Sequence, residues 1–259
     1  MIGRYLKNEK GNTLLVILGV LVGAIFISFI FFDFFTTFAN KRVSQTGADA
    51  AALAAANEIK EVYDEKLRSE IEIRMGHLRE TANEFVDEIL EEISEDYEDS
   101  LEDLDEDDPI PDPPDIDMDA IWNQVLNRMD IPHELRDAVR YEWVEIDAMA
   151  ALEYFFENVW YLDWFSNQVK EINEVACEAI INAEDQWTDA AKHYATKNGS
   201  DEDVDVVFKG DEFKVMVRVK KPASFITVSD DAFASGENDV YSEAEATVKT
   251  PRGIDISCD

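Results

Sequence analysis

The stretch TLLVILGVLVGAIFISFIFF, Thr13 to Phe32, is an unbroken apolar run that leads into Asp33, then Lys41-Arg42. After these comes the alanine block Ala48-Asp49-Ala50-Ala51-Ala52-Leu53-Ala54-Ala55-Ala56. Twenty residues at a 1.5 Å rise make about 30 Å, the hydrocarbon thickness of a bilayer. Only Gly19, Gly23 and Ser28 interrupt the Leu, Ile, Val and Phe of the run. The order predicts a transmembrane helix that passes directly into a helix beyond the membrane. Asp33 falls at the edge of the span, where its carboxylate reaches the headgroups.

Arg4, Lys7 and Lys10, offset by Glu9, precede the run, and only Lys41 and Arg42 follow it before acidic sequence takes over. The positive-inside bias therefore places the short N-terminus in the cytoplasm and the bulk of the chain outside. A cleaved secretory signal is the rival reading, because Thr37-Phe38-Ala39 loosely resembles a cleavage site. Signal peptides use an apolar region of about 7–15 residues, shorter than this one, so retention as an anchor is favoured.

The 259 residues carry a formal charge of −35. That charge repels phosphates and excludes nucleic acid as a natural partner, and anionic headgroups are expected to repel the ectodomain too. Cys177 and Cys258 are the two cysteines. An oxidising exterior allows a disulfide between them, tying the C-terminus to a helical region, with two free thiols as the alternative. No CxxC pair or Cys/His cluster is present, so no metal or other cofactor is expected.

Beyond Ser44 the pattern is helical. Leu67, Ile71, Met75, Leu78, Ala82, Phe85, Ile89 and Ile93 recur in steps of mostly three and four, one stripe of an amphipathic helix. Acids crowd Glu91 to Asp108, and Pro109, Pro111, Pro113 and Pro114 stop any helix. Asp115, Asp117 and Asp119 have the opening rhythm of an EF-hand loop. Ala120 stands where that loop needs Gly, and Leu126 where it needs the bidentate Glu, so no calcium site is assigned.

A second helical section begins near Asp119, with Ile121, Trp122, Val125, Leu126 and Met129 as core candidates. Pro132 opens a helix expected to carry Leu135, Val139, Trp143, Ile146 and Ala150. The aromatic stretch Tyr154-Phe155-Phe156, Trp160-Tyr161 and Trp164-Phe165 reads as bundle core, with a binding groove as the alternative. The pattern resumes through Val175, Ala179 and Ile180 to Trp187 and stops at Asn198-Gly199.

The period then changes to two. Val204–Phe208, Phe213–Val219, Ser224–Val228 and Val240–Val248 read as strands, with Lys209-Gly210-Asp211-Glu212 as a hairpin turn. The fold class is α+β: an N-terminal transmembrane helix continuing into an extracytoplasmic helical region, then a small C-terminal antiparallel sheet. The boundaries are a basic cytoplasmic head (1–12), a transmembrane helix (13–38) and an extracytoplasmic amphipathic helix (39–98). An acidic Pro-rich linker (99–118), a helical section (119–199) and the sheet (200–259) follow.

Gly11-Asn12, the apolar span, Asp33, Lys41-Arg42, Gln45 and the Ala48–Ala56 block together resemble the N-terminal signature of TadE/TadG-like Flp pilus-assembly proteins. The C-terminal hairpin and Val240-Tyr241-Ser242-Glu243-Ala244-Glu245-Ala246 loosely resemble that family's terminal strands. The helical section between has no such counterpart. The resemblance implies a single-pass component of a Tad/Flp-type pilus system, with other pilus-assembly proteins or pilins, further copies of itself and the bilayer as partners. Pilin-like members are processed after a Gly and carry Glu at the fifth position beyond it. Counting from Gly11, the fifth residue is Val16, which is closer to the TadG-like members that keep the anchor and lack this Glu.

Gly19, Gly23 and Ala24 in the span, and Ala50, Leu53 and Ala54 in the alanine block, are the residues expected to pack against other subunits' helices. An anchored binding module or adhesin is the alternative function, resting on the aromatic stretch. An enzyme is disfavoured. His77, His133 and His193 lie far apart in sequence, and GxSxG, HExxH and phosphate-binding Gly loops are all missing.

Overall fold

A computed structural model of the chain describes residues 9–102, 112–157, 165–200, 203–222, 239–251 and 256–258. Helix α1, Glu9–Glu102, runs without interruption for 94 residues, about 140 Å at the standard rise. No proline lies within it, so nothing removes a backbone donor between the apolar run and the acidic stripe. The backbone does not change at residue 39, where a boundary is expected from sequence. The helix also continues four residues past the expected end at 98.

The chain divides into two compact units. The first comprises Met1–Lys60, Asn182–Arg252 and Ser257–Asp259. It contains the first half of α1, helix α6 (Glu184–Lys197) and strands β1 (Val204–Lys209), β2 (Lys214–Pro222) and β3 (Asp239–Thr247). On α1 the buried face is Ser44, Ala48, Ala51, Ala52, Ala55, Ala56 and Ile59; on α6 it is Trp187, Ala191 and Ala195. Small side chains on both helices let the backbones approach. A Cβ built on Gly47 would meet Ser200 and the Ala195 carbonyl, and one on Gly199 would meet Val43. The two helices thus run antiparallel, with residue 199 level with 43 and 195 with 47. Gly199 stops α6 with φ +83, a conformation costly for any side chain, while Ser200 N–H donates to Ala195 O at 3.1 Å.

The sheet is antiparallel in the order β1-β2-β3. Val215, Val217 and Val219 of β2 are fully buried, opposite Phe208, Val206 and Val204 on β1 and Ala246, Ala244 and Ser242 on β3. The other face carries charge, with Lys209 paired to Glu245 and Arg218 to Glu243. The turn between β1 and β2 lies one residue later than expected. Phe213 N–H donates to Gly210 O at 3.2 Å, and Phe213 itself is left-handed at φ 50. It starts no strand; its buried ring meets Phe208 edge-on, which offsets the backbone cost. The expected strand Ser224–Val228 lies outside the described residues.

The second unit is Glu61–Ile181 with Gly253–Ile256. It holds the second half of α1, α2 (Met118–Arg128), α3 (His133–Arg140), α4 (Ala148–Leu152), a π-helical turn (Glu153–Glu157) and α5 (Phe165–Asn182). Tyr63, Leu67, Ile71, Met75, Ala82 and Val86 form the buried stripe of α1, largely the expected one. Arginines tie the elements together. Arg74 pairs with Glu70 and Glu171 and lies 4.4 Å over the Phe156 ring. Arg79 donates to Ala138 O at 2.8 Å, and Arg128 stacks on Phe85.

Helix α3 ends at Arg140 because Tyr141 turns extended (φ −129, ψ 117), and α4 restarts where Asp147 caps Met149 and Ala150 N–H groups. Leu135 and Val139 are buried as expected, but Trp143 falls in the break and is 81 % exposed. That overturns its assignment to a helical core stripe. Of the aromatic stretch, Phe156 is buried and Tyr154 O–H donates to Met129 O at 3.2 Å. Trp160, Tyr161 and Trp164 lie outside the described residues.

Burial, followed by the charge of Asp64, holds the Tyr63 phenol above its ordinary value near 10. A raised folded-state pKa gives stability that is complete below pH 10 and is lost as pH rises beyond it. Tyr63→Phe removes that titration. The stability advantage of the native chain over the variant should shrink by about 1.4 kcal/mol per pH unit above about pH 10. Urea midpoints of both proteins at about pH 9 and pH 11 check this, and a constant difference refutes it.

Candidate anchoring and assembly surface

The first part of α1 is long and apolar enough to cross a membrane, and none of that span is buried within the protein. Its hydroxyls fold back onto the helix: Ser28 donates to Ala24 O at 2.8 Å, Thr36 to Phe32 O at 2.9 Å and Thr37 to Asp33 O at 3.0 Å. Those bonds satisfy groups that hydrocarbon would leave without partners. A Cβ on Gly19 or Gly23 would meet nothing within 4 Å, so both glycines lie on the open surface of the span. Gly11 lies two residues inside α1.

The alanine block has two faces. Ala48, Ala51, Ala52, Ala55 and Ala56 are spent on the core of their own unit. Leu53 is 59 % exposed, and Ala50 and Ala54 are partly exposed. Ala50, Leu53 and Ala54 thus share an outward side of one helix, about 50 Å along it from Gly19. Gly47 was missed by the sequence reading. The available signal was the three- and four-residue spacing of Ser44, Ala48, Ala51 and Ala55, which places Gly47 beside the buried face.

Neither cysteine is free: Cys177 on α5 and Cys258 beside Gly210 are both disulfide-bonded. Of the EF-hand-like acids, Asp117 is occupied as the N-cap of α2, accepting from Asp119 and Ala120 N–H groups, and Asp119 pairs with Arg140. No group of three or more His, Cys, Asp or Glu residues stands in metal-binding geometry among the described residues. His77 lies 3.8 Å from Glu80 with both side chains largely exposed.

On the β1–β2 turn, the hydrogen bond and charge of Lys214 hold the Glu212 carboxylate below its ordinary range, and Glu245 raises Lys209. All four side chains keep contact with solvent, so these pairs set local charge and contribute little stability.

No curated protein and no solved structure matches the chain. A family model does: that of Flp pilus-assembly TadE/G-like proteins, over residues 11–58. The match begins at Gly11, takes in the exposed span and ends one residue short of Ile59, the last buried residue of the alanine face. Over residues 11–58 the chain is thus similar to TadE/G-like Flp pilus-assembly proteins.

Proposed function

We propose that the chain is a single-pass, membrane-anchored component of a Tad/Flp-type pilus system, minor-pilin-like or an assembly protein, acting by protein–protein contact. The family match over the span and the alanine helix carries this reading. The open glycines of the span and the outward Leu53 support it, because they leave helix surface unused by the chain's own core. The N-terminus is cytoplasmic, and the chain beyond the span lies on the other side. Partners are the bilayer, other pilus-assembly proteins or pilins, and further copies of the chain. The role is mechanical and templating, with no catalysis. Val16, in place of the pilin Glu, removes the carboxylate that would pair with a neighbour's new N-terminal amine, which disfavours Glu-guided entry into a filament and leaves Gly11 as the candidate processing site.

Leu53→Glu and Gly23→Leu test the reading. Each should reduce co-purification with other pilus proteins about tenfold or more while insertion into membranes persists. Undiminished co-purification in both variants overturns it. The mass of the mature N-terminal peptide reports on Gly11: a new terminus at Asn12 supports pilin-like handling, one at Asn40 means secretion, and an intact head means a permanent anchor.

One observation favours an anchored binding module instead. Trp143 is exposed and stacks on Tyr141 at 4.9 Å, with Arg140 over the same Tyr141 ring at 5.0 Å. Aromatic–Arg platforms of this kind are common contact anchors. Loss of surface attachment in Trp143→Ala, with pilus-protein contacts intact, would select that reading.

A further inference from the structure

The chain is acidic overall, yet the end of its first unit nearest the span is basic. Lys41 and Arg42 are exposed where α1 leaves the apolar run. The contact that a Gly199 side chain would make with Val43 sets the C-terminus of α6 at the same height. Lys221 is there too, its Nζ donating to Gly199 O. Lys220 precedes it on β2, and Lys197 occupies the last turn of α6. Lys192, His193, Thr196 and Lys197 line an open depression that runs back along α6, with Lys192 about 10 Å further from the span than Gly199. Among the described residues, Asp203 and Asp239 are the acids at that end of the sheet, and Glu243 is taken up by Arg218 at 3.5 Å.

Height decides what this collar faces. The last exposed apolar residue of the span is Phe38, and Val43 lies about 7.5 Å further along the helix. The headgroup layer on each side of a bilayer is about 5–8 Å deep. A collar level with Val43 therefore sits in or just above that layer, and its long lysine side chains reach down into it.

We propose that this basic collar, made of Lys41, Arg42, Lys197, Lys220 and Lys221, docks on anionic phospholipid headgroups of the leaflet from which the span emerges. The inference rests on the membrane-anchor reading above. Lipid is the occupant because the span holds the collar at headgroup height whatever protein partners are present. The overall negative charge works with it: the collar is drawn to the surface while the acidic remainder is repelled, so the first unit stands in one posture on the membrane.

The test uses the full chain in vesicles of phosphatidylcholine alone and of phosphatidylcholine with about 30 % phosphatidylglycerol, the anionic share needed for a surface potential. Flotation with both vesicle types confirms anchoring separately; failure to float would sink the anchor reading itself. Amide hydrogen exchange over residues 196–199 and 219–222 should slow about fivefold or more in the anionic vesicles. The slowing should vanish in about 0.5 M salt, where the Debye length falls to about 4 Å. Lys41→Gln/Arg42→Gln, two exposed positions, should remove most of it without altering exchange in neutral vesicles. Equal exchange in the two vesicle types, or slowing that survives the double substitution, overturns the proposal. So does equal protection in neutral vesicles by inorganic phosphate, which would make the site one for free anions.

Discussion

Gly47→Leu is expected to destroy the cooperative folding of the unit built on the alanine helix. A Cβ at Gly47 would stand 2.0 Å from Ser200 Oγ, 3.1 Å from Ser200 Cβ and 3.5 Å from the Ala195 carbonyl. Ser200 is buried, so its hydroxyl has little room to rotate away. Leucine adds three further carbons, and the whole C-terminal end of α6 must then lift off α1. That opens the face on which Ala48, Ala51 and Ala55 have no exposure at all. Overpacking of this kind costs about 1–3 kcal/mol before the opening is counted, against a total stability of about 5–15 kcal/mol. Hydrogen exchange at Val215, Val217 and Val219 should rise to near-unprotected rates in the variant. A quantitative companion is Gly47→Ala. Helix propensity favours it by about 1 kcal/mol and the clash opposes it, so the net change is small or unfavourable. In a Ser200→Ala background the 2.0 Å contact is gone, and Gly47→Ala should become more favourable by about 1–2 kcal/mol. Additive effects in that double-mutant cycle would show that the two residues do not meet.

The order of elements was legible wherever one physical rule governed one segment. The apolar run had the length of a bilayer, and α1 continued past it because a proline-free helical pattern had no reason to stop. Pro132 and Asn198-Gly199 marked a helix start and a helix stop through a fixed φ and a left-handed cap. Spacing alone misled between Leu135 and Ala150. Three- and four-residue steps continued numerically through Trp143, although the backbone leaves the helix at Tyr141. Asp147, a capping residue placed before Met149 and Ala150, was the local signal of a restart. The alanine block shows a different limit. Alanine suits a helix whether it is buried or exposed, so composition could not say which alanines face the chain's own core. Only the fold separates Ala51 and Ala55 from Ala50 and Leu53. Phe213 read as a strand residue because its neighbours alternate, and the long-range packing of its ring holds it in a turn that residue type alone disfavours.

The largest effect away from the alanine helix is expected at Gly210, read from sequence only as a turn residue. A Cβ there would lie 2.0 Å from the Cys258 carbonyl oxygen and 2.9 Å from its carbonyl carbon. The obstruction is backbone, which no rotamer change relieves. The Gly210 carbonyl also accepts two hydrogen bonds, from Phe213 N–H at 3.2 Å and Cys258 N–H at 3.1 Å, so one residue both closes the hairpin and stitches the C-terminal segment to it. Gly210→Val must displace Cys258 or distort the turn. Because Cys258 is disulfide-bonded, it cannot simply swing away, and the oxidised chain bears the clash as strain in the hairpin. Once the disulfide is reduced, the segment is free to leave, at the cost of little more than its own hydrogen bond of about 1 kcal/mol. The penalty of Gly210→Val should therefore be larger in the oxidised protein, about 3 kcal/mol or more, than in the reduced one. Thermal unfolding of wild type and variant, each with and without reductant, gives the four values. Equal penalties in the two redox states would mean that the terminal segment, not the hairpin, yields first, and that the close approach at Gly210 places no constraint on the sheet.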